Sequence, residues 1–480
     1  MASSTYLTPG VYVEEKSLLP PSVVGVATAI PAFIGYVVKA VPTVPQVVEI
    51  TSLREFEDLF GKALPTPYKV KFTEGVPRLY RTVPGPPSAE GAPTTTDELA
   101  PASVRPPWLL WYSLDFYFRN GGGRCYVVAV GQASDGTLLS ADAFRGGLTA
   151  LEKQDEPTLI VIPEASKLSA SDFQALCEAT LAHCGKMKDR FALLDVKEQG
   201  DATPIDQSAE ITTARGAFGT GSLSYGAAYY PFLHTTLTDF VDEATVSVEL
   251  PPATPTGTPP PAQTLSQLKA TATDSYNKIK KLLADQRVTL PPSPAMAGVC
   301  VRVDRERGVW KAPANVGVQS VIAPVDLVTD DQQGLLNVDA DTGKSINVIR
   351  AFAGRGAVVW GARTLAGNDN EWRYIPVRRL FITIEESVKK ATNFAVFEPN
   401  DVSTWLKVKG MIESYLYNLW EQGALQGGKP ESAYFVNVGL GKTMSAQDIL
   451  NGLMIVEIGI AAVRPAEFII LRFSHRLAEA

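Results

Sequence analysis

Histidine and cysteine are scarce: three histidines and four cysteines serve 480 residues. Cys125, Cys177, Cys184 and Cys300 form no C-x-x-C pair, which removes the common thiolate zinc and redox motifs. Cys177 and Cys184 lie with Phe173 and Leu181 on one apolar helical stripe in "LSASDFQALCEATLAHC". Seven residues of helix part their sulfurs by about 10 Å along the axis, too far for a disulfide. All four read as buried, reduced thiols of a chain that folds in a cytoplasm.

A basic surplus is also missing. Lysine and arginine number 44 against 51 acids, so the formal charge is −7. That excludes a general nucleic-acid binder, which tracks phosphates with excess cations. The opening "MASSTYLTPGVYVEEK" has no basic stretch and carries Glu14 and Glu15, so it does not read as a secretory signal. Residues 17–38 lack charge, but Pro20, Pro21, Gly25, Pro31 and Gly35 interrupt them. They read as short buried strands, not as a membrane helix, and no membrane insertion is expected.

The motifs that would carry chemistry fail one by one. Gly441-Lys442-Thr443 follows an apolar run, as a phosphate loop would, but the position five residues before Gly441 is Val436 instead of glycine. Gly343-Lys344-Ser345 fails in the same way at Val338. Without that first glycine the loop cannot fold its amides around a phosphate. Gly121-Gly122-Gly123 precedes the strand "RCYVVAVG", where a dinucleotide fingerprint would follow one. "NVDADTGK" lacks the glycine and glutamate of a calcium loop, with Thr342 and Val348 in their places; it reads as a hairpin turn. Asp330-Asp331 reads as a solvated turn. Ser222 sits in "GTGSLS", which is no nucleophile elbow. His183, His234 and His475 fall in a helix, at a strand end and in a terminal strand, and read as structural or surface groups. No cofactor, metal or catalytic set is expected.

What is present is a globular α/β pattern. Hydrophobic residues make up 45% and charged residues 20%, and the length suits two to four domains. "RCYVVAVG", "TLIVIPEA", "RFALLDVK" and "SYGAAYYPFL" are short apolar runs, with helical stretches such as 169–184 and 207–217 beside them. They imply a mostly parallel sheet covered on both faces. Proline-rich segments within 62–107 and 251–262 read as surface excursions or linkers. Towards the end, "ITIEESVKKATNFAVF" is helical, Asn400 is placed to cap the next helix, and Gly423 ends it. "SAYFVNVG" is a strand, and Ser445 with Asp448 forms a capping box. "LMIVEIGIAAV" reads as a core strand, and "AEFIILRFSHRL" is a second β-prone run. The early "TPGVYVEE" alternates Val11 and Val13 with Tyr12 and Glu14. A lone strand of that kind must pair with something else.

These stretches resemble contractile tail sheath proteins of phages and phage-tail-like injection particles. The resemblance rests on "TPGVYVEE", "AIPAFIGY", "NGGGRCYVVAVG", "GVWKAPANVG", "LNVDADTGKSINVIRAFAGRGAVVWGARTL", "EWRYIPVRRLFITIEESVKKATNFAVFEPND", "LWEQGALQGG" and "RPAEFIILRFSHRL". It is specific over 296–477 and weak in 62–107 and 237–290. It implies a mixed α/β, multi-domain subunit with a subtilisin-like central fold; this chain's own residues show no catalytic triad there, so the fold is carried over and the protease activity is not. The expected layout is an N-terminal arm at 1–24, a central domain at 25–295 with variable insertions near 62–107 and 237–265, a sheath domain at 296–463 and a C-terminal arm strand at 464–480.

The same resemblance implies a partner set. Subunits would stack as hexameric rings around an inner tube, meet baseplate and terminator or cap proteins, and in some particles share the cylinder with a sheath paralogue. Assembly would occur in the bacterial cytoplasm. Contraction would drive the tube through a target envelope. Arm strands would join a neighbour's sheet through Val11, Tyr12, Val13, Glu14, Phe468, Ile469, Ile470, Leu471 and Phe473, with hinges at Pro9, Gly10, Arg464 and Pro465. Candidate tube contacts are Lys389, Lys390, Lys407, Lys409 and Lys442. The competing readings are an α/β hydrolase-like enzyme with an unrecognised site and a non-contractile adhesive surface protein.

Overall fold

A computed structural model describes residues 23–73, 75–84, 95–100, 103–134, 137–197, 208–251 and 260–470. The arm residues Pro9, Gly10, Val11, Tyr12, Val13, Glu14, Leu471 and Phe473 lie outside them, as does His475. Two compact units divide the chain: residues 27–383 with 464–480, and residues 1–26 with 384–463.

The larger unit is built on an eight-stranded sheet. Its spatial order is Gly356–Val359, Ile346–Phe352, Gly226–Tyr230, Phe191–Asp195, Leu159–Val161, Pro31–Val37, Cys125–Gln132 and Gln46–Ile50. The six inner strands run parallel, and the two edge strands run antiparallel to their neighbours. The continuous apolar runs therefore have the expected cause. Successive side chains point to opposite faces, and both faces are buried. Phe33, Val127, Val161, Leu193 and Tyr229 face the helices Leu110–Arg119 and Ser293–Arg307. Ile34, Val128, Ile160, Leu194 and Ala228 face Ala141–Leu151 and Ala170–Met187.

The first proline-rich segment is not a mere excursion, while most of the second, 252–259, lies outside the described residues. Tyr68–Thr73, Val76–Pro84 and Thr95–Leu99 join Ser247–Glu249 and Gln263–Thr264 in a separate five-stranded sheet. Tyr68, Val70, Leu79 and Val248 from this sheet bury against Leu268 and Ile279 of two helices. "YKVKF" and "PRLY" alternate with period two. The flanking prolines obscure that alternation, and the partner strand Ser247–Glu249 comes from about 180 residues further on.

The expected boundary at 295/296 falls inside the helix Ser293–Arg307, whose first eight residues are buried. Hydrophobic burial on that helix belongs to the sheet, so the structural division lies at 383/384 instead. Gly298 is where it meets the helix Leu110–Arg119. A Cβ there would stand 2.6 Å from the Tyr117 carbonyl oxygen and 2.8 Å from Asn120 Cβ. Backbone cannot yield as a side-chain tip can. Gly298→Val is expected to destabilise the subunit by about 3 kcal/mol or more, read as a lower urea midpoint.

In the smaller unit the helix Val402–Glu421 buries Trp405, Val408, Ile412 and Leu416. Its cap is Asp401, which accepts from the Thr404 amide at 2.9 Å. Asn400 instead accepts from Trp405 Nε1 and donates to the Leu453 carbonyl. The capping box at Ser445 and Asp448 is formed. "LMIVEIGIAAV" is not a core strand. Val456–Ile460 pairs with Tyr434–Val438 in a two-stranded sheet, and its residues are half-buried or exposed. Among the described residues the two strands find no third, so neither is enclosed.

Candidate assembly surfaces

The C-terminal segment expected to be a strand joins no ladder over 464–470. Phe468, Ile469 and Ile470 are 69%, 80% and 77% exposed. Apolar side chains in this state are an aggregation hazard in a lone chain and a docking surface in an assembled one. The backbone supplies no local partner because a strand cannot satisfy its own amides.

The root of this segment is held firmly. Glu467 receives Arg363 Nε at 2.9 and 3.1 Å and Arg363 Nη2 at 2.7 Å. Asn337 Nδ2 donates to it at 2.7 Å and the Tyr374 hydroxyl at 3.0 Å. Arg363 itself is 4% exposed. Burial pushes the Glu467 carboxyl up, but the hydrogen bonds from Arg363, Asn337 and Tyr374, with the arginine charge, outweigh it and hold the carboxyl below its ordinary value. A groove of about 540 Å³ opens beside it, lined by Lys311, Asp330, Trp360, Glu467, Phe468 and Ile469 among others. Of the expected hinge residues, Arg464 and Pro465 directly follow the unit boundary: Val463 ends one unit and Arg464 begins the return to the other. Arg464 is exposed and Pro465 half-buried.

Three of the candidate lysines are engaged within their own helices. Lys389 and Lys390 both reach Glu386, at 3.0 and 3.4 Å, and Lys409 reaches Glu413 at 3.5 Å. The Lys409–Glu413 pair is solvent-exposed and worth roughly 0.2–1 kcal/mol, whereas Glu386 is 7% exposed, so taking its lysines away costs more. Lys407 and Lys442 are exposed.

The segments tested above for chemistry have structural roles. Gly439 and Gly441 take positive φ, 140° and 76°, in the turn from the strand Tyr434–Val438 to the capped helix Ala446–Leu450. Thr443 Oγ1 donates to the Ile455 carbonyl and closes that turn. "NVDADTGK" is not a hairpin turn: it connects the helix Asp330–Asn337 to the strand Ile346–Phe352. Asp330 and Asp331 form the first turn of that helix, where acids suit its positive end. Asp339 turns the loop by accepting from the Thr342 and Asp341 amides. His183 is buried beside Arg190, and burial followed by that charge pulls it down to about 4. His234 meets Ser103 and Thr289 across strands, 3.1 and 2.9 Å from its Nδ1. All four cysteines are buried and unpaired. Among the described residues no group of acids, histidines and cysteines could hold a metal, and no helix is long and apolar enough to cross a membrane.

The sequence reading missed the Glu467 clamp. Its members lie at 337, 363, 374 and 467, and only the acid inside the apolar run "AEFII" hinted at it. A charge there needs a partner if it is not to be solvated.

Comparison with known proteins gives these features a family. The family model for the phage tail sheath C-terminal domain matches residues 367–476. Tail sheath proteins of Vibrio phage KVP40 and Enterobacteria phage T4 are 28% and 24% identical over 152 and 143 residues, which are 32% and 30% of this chain. Those alignments span only 21% and 20% of the phage proteins' own length. Coverage is nearly complete among solved structures. The sheath complex of an extracellular contractile injection system, PVC, in its contracted state is 32% identical over 98% of both chains, with a TM-score of 0.64. The contracted helical sheath of the anti-feeding prophage is 34% identical over 98% of this chain and 99% of that one, with a TM-score of 0.63. A chain in the six-fold symmetrised baseplate of the anti-feeding prophage is 33% identical over 98% and 100%, with a TM-score of 0.63.

A mixed α/β subunit with an unpaired, apolar terminal segment is thus a structural protein of contractile assemblies. The chain belongs to the contractile sheath family, whose members build phage tails and phage-tail-like injection systems. Its relatives are sheath proteins and not enzymes.

Proposed function

We propose that this chain polymerises as stacked hexameric rings around an inner tube, that neighbours exchange arm strands, and that contraction drives the tube through a target envelope. The observation that carries the reading is the segment 464–470, which joins no ladder and exposes Phe468, Ile469 and Ile470. The two-stranded sheet Tyr434–Val438 and Val456–Ile460 offers it an acceptor of the right kind on a neighbour. Main-chain hydrogen bonds would supply the affinity and alternate side chains the register. Phe468, Ile469, Ile470, Leu471 and Phe473 would form the donated strand at one end, and Val11, Tyr12, Val13 and Glu14 at the other, with Arg464, Pro465, Pro9 and Gly10 as hinges. The six-fold baseplate that holds a relative supports the ring.

The other partners follow from the same reading. Sheath copies, the tube, the baseplate and a terminator or cap are the expected contacts, and a paralogue would share the cylinder where a particle encodes one. Lys389, Lys390, Lys407, Lys409 and Lys442 are the candidates for tube contacts that must break on contraction. The energy comes from the difference in intersubunit packing between two states and needs no nucleotide. Free buried thiols suit assembly in a reducing cytoplasm.

Electron microscopy of the purified protein tests this reading. Hollow, striated cylinders are expected. Deleting residues 1–20 is expected to leave a folded, soluble subunit that forms none. Normal cylinders from the shortened chain would show that strand donation by the N-terminal arm is wrong.

A further inference from the structure

We propose that the Glu467 carboxylate, gripped by Arg363, Asn337 and Tyr374, is a clamp that fixes the point from which the C-terminal arm leaves its own subunit. The inference rests on the strand-donation reading above and adds a positioning residue to it.

The geometry argues for a fixed post. Three residues from three segments converge on one side chain, and Arg363 approaches it with both Nε and Nη2. A planar guanidinium forked onto a carboxylate fixes direction as well as distance. The residues on either side behave differently. Arg464 and Ala466 are exposed before it, and Phe468 to Ile470 are exposed after it. Glu467 is thus the one strongly tethered side chain in a run that otherwise grips little. Its tether is buried at the arginine end, where water cannot compete for the hydrogen bonds.

The consequence concerns assembly rather than folding. A strand donated to a neighbour must arrive in register, because a slip of one residue turns every side chain to the wrong face. Glu467 directly precedes Phe468, the first residue of the donated strand. A pinned root restricts where Phe468 can be and so raises the effective concentration of the arm at its acceptor. Without the clamp the arm swings from the unit boundary at 463/464, samples a larger volume and docks less well.

The test uses the full chain and Glu467→Gln, which keeps the shape and one acceptor but removes the charge. Amide hydrogen exchange over 466–470 in unassembled protein is expected to rise about tenfold. The concentration needed for cylinders is expected to rise about tenfold as well, while the thermal midpoint of the subunit moves little. Exchange and assembly matching the unaltered chain would overturn the proposal. If Glu467→Gln fails to fold, Tyr374→Phe removes a single donor; a smaller change in the same direction supports the clamp and no change overturns it. Deleting 468–480 keeps Glu467 with its three partners and removes the whole donated strand. If that chain still builds cylinders, the donation reading fails, whereas exchange in Glu467→Gln judges the clamp alone.

Discussion

Replacing Arg379 by methionine is expected to lower the stability of the subunit by about 3–5 kcal/mol. Arg379 is 3% exposed and meets Asp304 as a fork, Nη1 to Oδ1 at 3.0 Å and Nη2 to Oδ2 at 2.6 Å. Nη2 also donates to the Thr28 carbonyl at 3.0 Å. The Asp304 side chain is 5% exposed, so removing the cation leaves a buried carboxylate without its partner. Burial works against the charged arginine, but Asp304 outweighs it and holds the group above its ordinary value. The double variant Arg379→Met with Asp304→Leu removes both charges and is expected to recover most of the loss, since two apolar groups of similar size pack without that penalty. Urea unfolding of the three proteins decides it. Equal losses in the single and double variants would show that packing, and not the unpaired charge, sets the cost.

The second large effect is a pH dependence centred on Asp195. This carboxyl ends the inner strand Phe191–Asp195 and accepts from the Ser293 amide at 2.7 Å and its hydroxyl at 2.5 Å. Burial raises it to about 7, and the two Ser293 hydrogen bonds only partly oppose that. A group raised in the folded state contributes stability that is fully present below its unfolded value, 3.8, and is lost as pH rises through about 7. The difference corresponds to about 4 kcal/mol at most. The substitution Asp195→Asn mimics the neutral acid and carries no such loss. Its stability relative to the unaltered chain is therefore expected to improve by up to about 4 kcal/mol between pH 4 and pH 8. Glu164 is also raised to about 7 by burial, but it is present in both proteins and cancels. Urea midpoints at the two pH values with the same gap would show that Asp195 stays ionised throughout.

Much of the fold was legible because its signals are local. "RCYVVAVG" and "RFALLDVK" are too short and too apolar to be anything but enclosed strands, and they lie inside the eight-stranded sheet. The helix Ala170–Met187 carries the stripe of Phe173, Cys177, Leu181 and Cys184 that its spacing implies. The capping box at Ser445 is a contact between neighbours in sequence, so it too could be read directly. The proline-rich module could not, because Tyr68–Thr73 pairs with Ser247–Glu249 across about 180 residues. The Asn400 reading failed by one residue, since two adjacent polar side chains compete for a cap and Trp405 claimed the first.

The failed phosphate loop at Gly441-Lys442-Thr443 was decided by the sequence alone: Val436 denies the loop its first glycine, and no packing can restore it. Periodicity likewise determined the α/β class, the enclosed strands and the apolar end, since each depends on residues within one or two turns of one another. Only the tertiary structure decided where the units divide, that two distant insertions share a core, and that Glu467 is gripped by Arg363, Asn337 and Tyr374. Those facts depend on which remote segments meet, and a carboxylate shows its partner only once the chain has folded back on it.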